Sequence, residues 1–335
     1  MANLNIAAWM LQERSKMTIQ PAPMPEPGSN EIVVKNEAIA LNPVDPKIQA
    51  HSLLPLSYPT ILGGSIAGIV AAIGSSVTKF KIGDRVTSST PYYVKDDSRY
   101  GAFQKYSLTL EGSTSKIGTM PFEEAVTVPT SLGSAAVALS IVLGLKRPGK
   151  ESISLPQKVL VWGGSSSIGR SAIQYAKMSG YRVISTGSPA RFDDIKAIGA
   201  SKVFDYKSNQ ISDDLKAEGP YEAIFDASGA PDSFAVIAQL FTSSGGAFAS
   251  VLPDTAGVLP SHVKVKFMTY ASLLFAEENS EFMKWLFNEY LQEKLLAGQY
   301  IPNKVGFRAG GLNGIQDAMD ELLHGVTAQK IVLKP

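Results

Sequence analysis

The chain contains no cysteine. That absence excludes disulfides, a thiolate nucleophile and every metal site built on thiolates. Histidine is nearly as scarce: His51, His262 and His324 stand far apart in the 335 residues. A zinc site of histidines and carboxylates therefore has few ligands to draw on. Excess charge of one sign is also missing. Lys and Arg number 31 against 30 Asp and Glu, a net charge of +1. Such a balance sets up no field that draws in nucleic acid or an anionic membrane. Read from the sequence, no apolar run reaches the ~20 residues of a membrane helix. The opening stretch, Met1–Lys16, turns polar too early for a signal peptide. The expectation is a cytoplasmic protein with neither nucleic acid nor membrane as partner.

The hydrophobic fraction of 44% and charged fraction of 18% are those of a globular chain. Its length suits two domains. The first part reads as irregular β-structure. Pro21–Pro27 is an extended surface connection. Strands are predicted at Glu31–Ala40, Ser65–Ile73, Arg85–Ser89 and Ala102–Leu108, parted by Gly, Pro and Asp turns. After about residue 125 the pattern changes. Apolar strands at Lys158–Trp162, Tyr181–Thr186, Lys202–Asp205, Tyr221–Asp226 and Gly246–Val251 alternate with helices at Ser167–Met178, 190–198, 208–217 and 231–241. Alternation of this kind marks an α/β fold with a doubly wound parallel sheet. Helices at 279–297 and 311–324 and a closing strand at Lys330–Leu333 follow. The apolar stripe of Phe282, Trp285, Leu286 and Leu295 reads as core packing.

The strongest chemical signal is Val161-Trp-Gly-Gly-Ser-Ser-Ser-Ile-Gly-Arg170, placed between an apolar strand and a helix. Gly163 and Gly164 permit a tight turn, and Gly169 lets the helix approach the strand. The helix N-terminus, with Ile168 in its first turn, offers backbone N–H groups and a positive dipole end to a pyrophosphate. Ser165, Ser166 and Ser167 add hydroxyl donors and a helix cap. Beyond the second strand there is no carboxylate to hold a ribose 2′-hydroxyl; Thr186, Ser188 and Arg191 stand there instead. Small donors and a cation suit a 2′-phosphate, so the cofactor read here is NADPH. Asp193 and Asp194 are read as first-turn helix residues.

Together these features resemble the medium-chain dehydrogenase/reductase superfamily. Within it the chain is similar to the zinc-free quinone oxidoreductases and, above all, to the fungal trans-acting enoyl reductases. The resemblance rests on Leu41-Asn-Pro-Val-Asp-Pro-Lys47, Leu62-Gly-Gly-Ser-Ile-Ala-Gly68, Gly83-Asp-Arg-Val86, Gly101-Ala-Phe-Gln-Lys-Tyr106, the Gly163–Gly169 turn and Lys330-Ile-Val-Leu333. It implies a Rossmann domain at 126–289 and a β-rich GroES-like substrate domain at 1–125, completed by 290–335. Zinc-dependent members carry Cys at Asn42 and Gly-His-Glu at Gly63-Gly64-Ser65, so the resemblance implies a zinc-independent enzyme.

The resemblance also assigns roles. Asn42 lies beside the nicotinamide, Ser134 near its ribose, Arg191 at the 2′-phosphate and Tyr206 at the adenosine. Lys47 faces substrate, whereas Asp45 anchors its turn. Ser65 departs from the usual Asp and alters the substrate-side floor. Phe267, Tyr270 and Phe275 fall where relatives form a dimer edge or a lid, or are simply core. His51, four residues after Lys47, reads as an ordinary histidine of that segment.

Without a Lewis acid, hydride transfer needs a substrate already electrophilic: an enoyl thioester, an enone or a quinone. Lys47 is the candidate to stabilise the resulting enolate or supply a proton. A backbone N–H, Tyr92, Tyr93 or water are alternatives. Three functions remain open at this point. One is an NADPH-dependent reductase of a free small molecule, as monomer or homodimer. Another is a reductase of a carrier-protein-tethered substrate. The third is an NADPH-binding protein without redox activity.

Overall fold

The computed structural model describes residues 4–149, 156–229, 231–241, 246–253, 257–261, 263, 265–266, 269–326 and 328–335. His262, Lys264 and Phe267 lie outside the described residues. The chain divides into two compact units, Met1–Gly133 with Leu274–Pro335, and Ser134–Leu273.

The first unit opens with strands β1 (Asn5–Met10), β2 (Met17–Ala22), β3 (Glu31–Ala40), β4 (Thr60–Ile61), β5 (Ser65–Ile73), β6 (Arg85–Ser89), β7 (Tyr106–Leu110) and β8 (Thr114–Lys116). Helices α1 (Val44–His51), α2 (Tyr92–Lys95), α3 (Phe122–Ala125) and α4 (Pro129–Ala136) lie along the same stretch. The second unit carries β9 (Lys158–Trp162), β10 (Arg182–Gly187), β11 (Ala200–Asp205), β12 (Ala223–Asp226), β13 (Ala247–Ser250) and β14 (Val265–Lys266), with helices α5 (Ser167–Met178) and α6 (Phe192–Ala197) between its early strands. The chain then returns to the first unit with β15 (Val305–Phe307) and β16 (Lys330–Leu333).

The second unit's sheet runs β11-β10-β9-β12-β13-β14, every pair parallel. That order reverses at β9, the switch point of a Rossmann fold. β9 is apolar because both faces are covered: Val159, Leu160 and Val161 are fully buried. Helix α5 begins at a serine cap and buries Ala172, Ile173 and Ala176 against the sheet.

In the first unit, β15-β16-β3-β5-β6-β8 form the larger sheet, with β7 on β3, and β2-β1-β4 form the smaller one. Their alternating apolar residues meet in one core that includes Ile32, Val34, Ile48, Ile66, Phe103 and Leu333. No helix is predicted from the sequence over Val44–His51, where the structure has α1. Two prolines disguise it, yet Pro43 and Pro46 fall at its cap and first turn, where a missing N–H is tolerated. The strand expected from Ala102 begins only at Tyr106, after a turn around Phe103.

The boundaries of the two compact units fall at Gly133/Ser134 and Leu273/Leu274. The long helical stretch near 280–296 belongs with the β-rich unit, because Ser115 Oγ donates to the Phe287 carbonyl at 2.6 Å and Asn288 Nδ2 donates to the Thr114 carbonyl at 2.7 Å. One helical run, Phe122–Val142, is long and apolar enough to cross a membrane, contrary to the reading of the sequence. Its most apolar window is 78% buried in protein, as a core helix is.

Candidate functional site

The turn between β9 and α5 spans Gly163–Ser166. Gly163 has φ +81°, open to glycine at no cost. A Cβ on Gly164 would lie 2.3 Å from Ser185 Oγ, and one on Gly169 would lie 2.2 Å from the Gly163 carbonyl oxygen. Gly169 thus meets backbone and Gly164 meets packed side chains, with no room for a side chain at either. Two hydrogen bonds hold the turn to β10: Gly163 N–H donates to Thr186 Oγ1 at 3.0 Å, and Gly164 N–H donates to the Thr186 carbonyl at 2.9 Å. Ser166 caps α5 by accepting from Gly169 N–H at 3.0 Å, and it donates to the Ala227 carbonyl at 3.1 Å. Its hydroxyl therefore shapes the turn. Ser165, Ser167 and Ile168 stay half-buried where the unpaired N–H groups of α5 emerge. A glycine cradle at the head of a 12-residue helix fits a pyrophosphate.

The end of β10 carries the residues read for cofactor choice. Thr186 is fully buried and committed to Gly163. Ser188 is half-buried, and its carbonyl accepts Arg191 N–H at 2.8 Å. Arg191 precedes α6, half-exposed, with its guanidinium 3.7 Å from Asp194. Asp193 and Asp194 occupy the first turn of α6, as expected for acids at a helix N-terminus. Tyr206 follows the neighbouring strand β11. It is 42% exposed, and Lys207 Nζ stands 5.7 Å from its ring centroid.

Asp226, at the end of β12, escaped the sequence reading. It is fully buried and accepts from Ser228 N–H at 2.9 Å, Ser228 Oγ at 2.8 Å and Ser233 Oγ at 2.6 Å. These bonds place Ser228 against Gly163. The signal was present in Asp226-Ala-Ser-Gly229, an acid followed by turn residues at a strand end.

In the β-rich unit, Asn42 meets a buried polar cluster. Its N–H donates to Asp45 Oδ2 at 2.6 Å, its Nδ2 donates to Ser65 Oγ at 3.4 Å, and its Oδ1 accepts from Lys330 Nζ at 2.6 Å. Tyr92 and Tyr93 both donate to Asp45 Oδ1, at 3.2 and 3.3 Å. Burial pushes the Asp45 carboxyl up to about 6, against the pull of the Asn42 N–H and of Lys330. Burial pushes the Lys330 ammonium down to about 8, against the Asp45 charge. Both tyrosine hydroxyls are held well above the usual phenol range, first by burial and then by Asp45. They keep their protons and direct them at Asp45. Ser65 is fully buried inside this cluster.

Lys47 lies outside the cluster, half-buried on α1, with no hydrogen bond or ion pair among the described residues. His51 is exposed at the end of the same helix. Ser134 is half-buried in α4. Tyr270 is buried and donates to the Ser250 carbonyl at 2.6 Å, which makes it a core residue of its unit.

The positions where zinc-dependent relatives hold their metal do not fit one here. A divalent cation at Asn42 would share the carboxamide oxygen with an ammonium already 2.6 Å away. Among the described residues, no group of three or more His, Asp or Glu is placed to hold a metal ion.

A Rossmann unit with a glycine phosphate turn, joined to a GroES-like β-unit, defines a nicotinamide-dependent oxidoreductase. Residues 28–132 match the alcohol dehydrogenase GroES-like domain, and residues 167–268 match the family described as zinc-binding dehydrogenase. The chain is 34% identical over 338 residues to trans-enoyl reductase himH of Aspergillus japonicus, covering 99% of this chain and 97% of the relative. It is 35% identical over 345 residues to dehydrogenase azaJ of Aspergillus niger, covering 98% of each. An alcohol dehydrogenase superfamily protein of Novosphingobium aromaticivorans shares the fold, with TM-score 0.81 and 22% identity over 99% of each chain. The chain belongs to the medium-chain dehydrogenase/reductase superfamily.

Proposed function

We propose that the chain is a cytosolic, zinc-independent reductase that uses NADPH to reduce an activated double bond, in an enoyl thioester or enone, or a quinone. The observation that carries this reading is the end of β10. No acid stands at the strand end to hold a ribose 2′-hydroxyl, and Ser188 and Arg191 stand there as donors to a 2′-phosphate, the guanidinium also lying 3.7 Å from Asp194. The Lys330 ammonium on Asn42 supports a reaction without a metal. The substrate must then bring its own electrophilicity.

In this reading Gly163, Gly164, Ser165, Ser166, Ser167 and Ile168 hold the pyrophosphate at the helix head. Arg191, Ser188 and Tyr206 hold the adenosine end, and Asn42 and Ser134 orient the nicotinamide end. When bound, the nicotinamide supplies the hydride. Lys47, half-buried and without a partner among the described residues, stabilises the enolate oxygen or delivers its proton. Tyr92 and Tyr93 are poor donors to substrate because Asp45 holds their hydroxyls. The name of the himH relative, a trans-enoyl reductase, favours an enoyl substrate over a quinone.

The test is NADPH oxidation followed with three probes: a free enone, a quinone, and an enoyl thioester presented free or on a carrier protein. Turnover of the thioester supports the reading. Tight NADPH binding with no turnover of any probe points instead to a non-redox, NADPH-binding role.

A further inference from the structure

Lys330 opens strand β16 and is 4% exposed, followed by Ile331, Val332 and Leu333, all buried. Among the described residues it forms no ion pair within 4.0 Å; its recorded bond is to Asn42 Oδ1, at 2.6 Å. Burying a lysine this way is unfavourable, and an apolar residue would complete the strand. The position therefore calls for a role.

A lysine ammonium only donates. Its bond to Asn42 settles the orientation of a carboxamide that can otherwise flip. With Oδ1 on Lys330, Nδ2 must face Ser65 Oγ, at 3.4 Å. Ser65 Oγ lies 2.6 Å from Thr130 Oγ1 and, because Thr130 gives its own proton to the Gly64 carbonyl, is the donor between them. Thr130 in turn donates to the Gly64 carbonyl at 2.9 Å. Asp45 closes the other side, accepting from Asn42 N–H, Tyr92 and Tyr93. The buried cation thus fixes the carboxamide of Asn42, and the Gly64 carbonyl fixes the direction of the two hydroxyls. Thr130, the half-buried end of this chain, lies one helical turn before Ser134 in α4.

We propose that Lys330 is a positioning residue for the nicotinamide end of the cofactor, acting through the carboxamide of Asn42. The proposal rests on the NADPH reading above. Lys330 decides which side of the Asn42 carboxamide offers N–H and which offers lone pairs, and so which nicotinamide orientation it accepts.

The test compares the wild type with Lys330→Met and with the neutral pair Lys330→Met/Asp45→Asn. The second variant removes both buried charges, which limits the unfolding that one unpaired charge would cause. Four quantities are measured: urea unfolding, affinity for 2′,5′-ADP, nicotinamide emission of bound NADPH, and kcat and KM with a free enone or enoyl thioester. In the neutral pair, wild-type unfolding and unchanged 2′,5′-ADP affinity are expected. The emission of bound NADPH should shift toward that of free NADPH, and kcat should fall about tenfold or more with little change in KM. Recovery of emission and kcat together with stability overturns the proposal and makes Lys330 structural only. If the wild type binds NADPH but reduces no probe, the reduction reading fails, and the emission still decides for or against Lys330. If the wild type binds no NADPH, both readings fall.

Discussion

The Thr186 hydroxyl accepts the Gly163 N–H at 3.0 Å, so the end of β10 holds the turn that follows β9. Thr186 reads in sequence as a ligand for the cofactor; its burial makes it a support for the turn instead. Thr186→Val keeps the shape and removes the acceptor. Leaving that N–H unpaired is expected to cost about 1–3 kcal/mol. Weaker NADPH binding should accompany the loss, read by urea unfolding and nucleotide titration together. Unchanged affinity in a destabilised variant would detach the turn's geometry from binding.

Lys47→Met removes the only charge that α1 offers without a partner among the described residues, and keeps most of the volume. Turnover is expected to fall about 100-fold, with NADPH affinity unchanged. Steady-state kinetics beside a binding titration separate the two. Wild-type turnover removes Lys47 from the mechanism.

Asp45 makes stability depend on pH. Lys330, Tyr92 and Tyr93 face it, yet burial dominates and raises its carboxyl from 3.8 to about 6. A raised acid stabilises the fold in its protonated form. That contribution is complete below about pH 3.8 and is lost as pH rises through about 6. Asp45→Asn cannot titrate. Its stability relative to wild type should therefore be more favourable at about pH 7 than at about pH 4. Urea unfolding at both values checks this, since the slopes of groups that do not feel the Asp45 charge cancel in the difference. An equal difference at both pH values contradicts it.

Much of the Rossmann unit was legible because local signals agreed. β9 and α5 have the limits read from sequence, since an apolar strand, two glycines and a serine cap fall within a few residues. β3, β5 and β6 were legible for a like reason, their apolar residues bounded by turns. Helix α1 was hidden by its two prolines, whose effect depends on position within the first turn. The buried cluster was legible only at Asp45, read as the anchor of its turn and found accepting the Asn42 N–H. Lys330 and Asn42 are 288 residues apart, and nothing local to either announces the bond. Lys330 registered only as part of a family signature, whereas the structure gives it a partner and a reason for its burial.

The most direct test of the central claim is a fluorescence titration with NADPH and NADH, on wild type and on Arg191→Ala. Wild type is expected to bind NADPH about 10–100-fold more tightly than NADH, as one charge-assisted contact to a phosphate allows. The substitution should erase most of that gap and leave NADH unchanged. Equal affinity for the two nucleotides, or a gap that survives the substitution, contradicts the reading of the β10 end. Failure to bind either nucleotide contradicts the reductase itself.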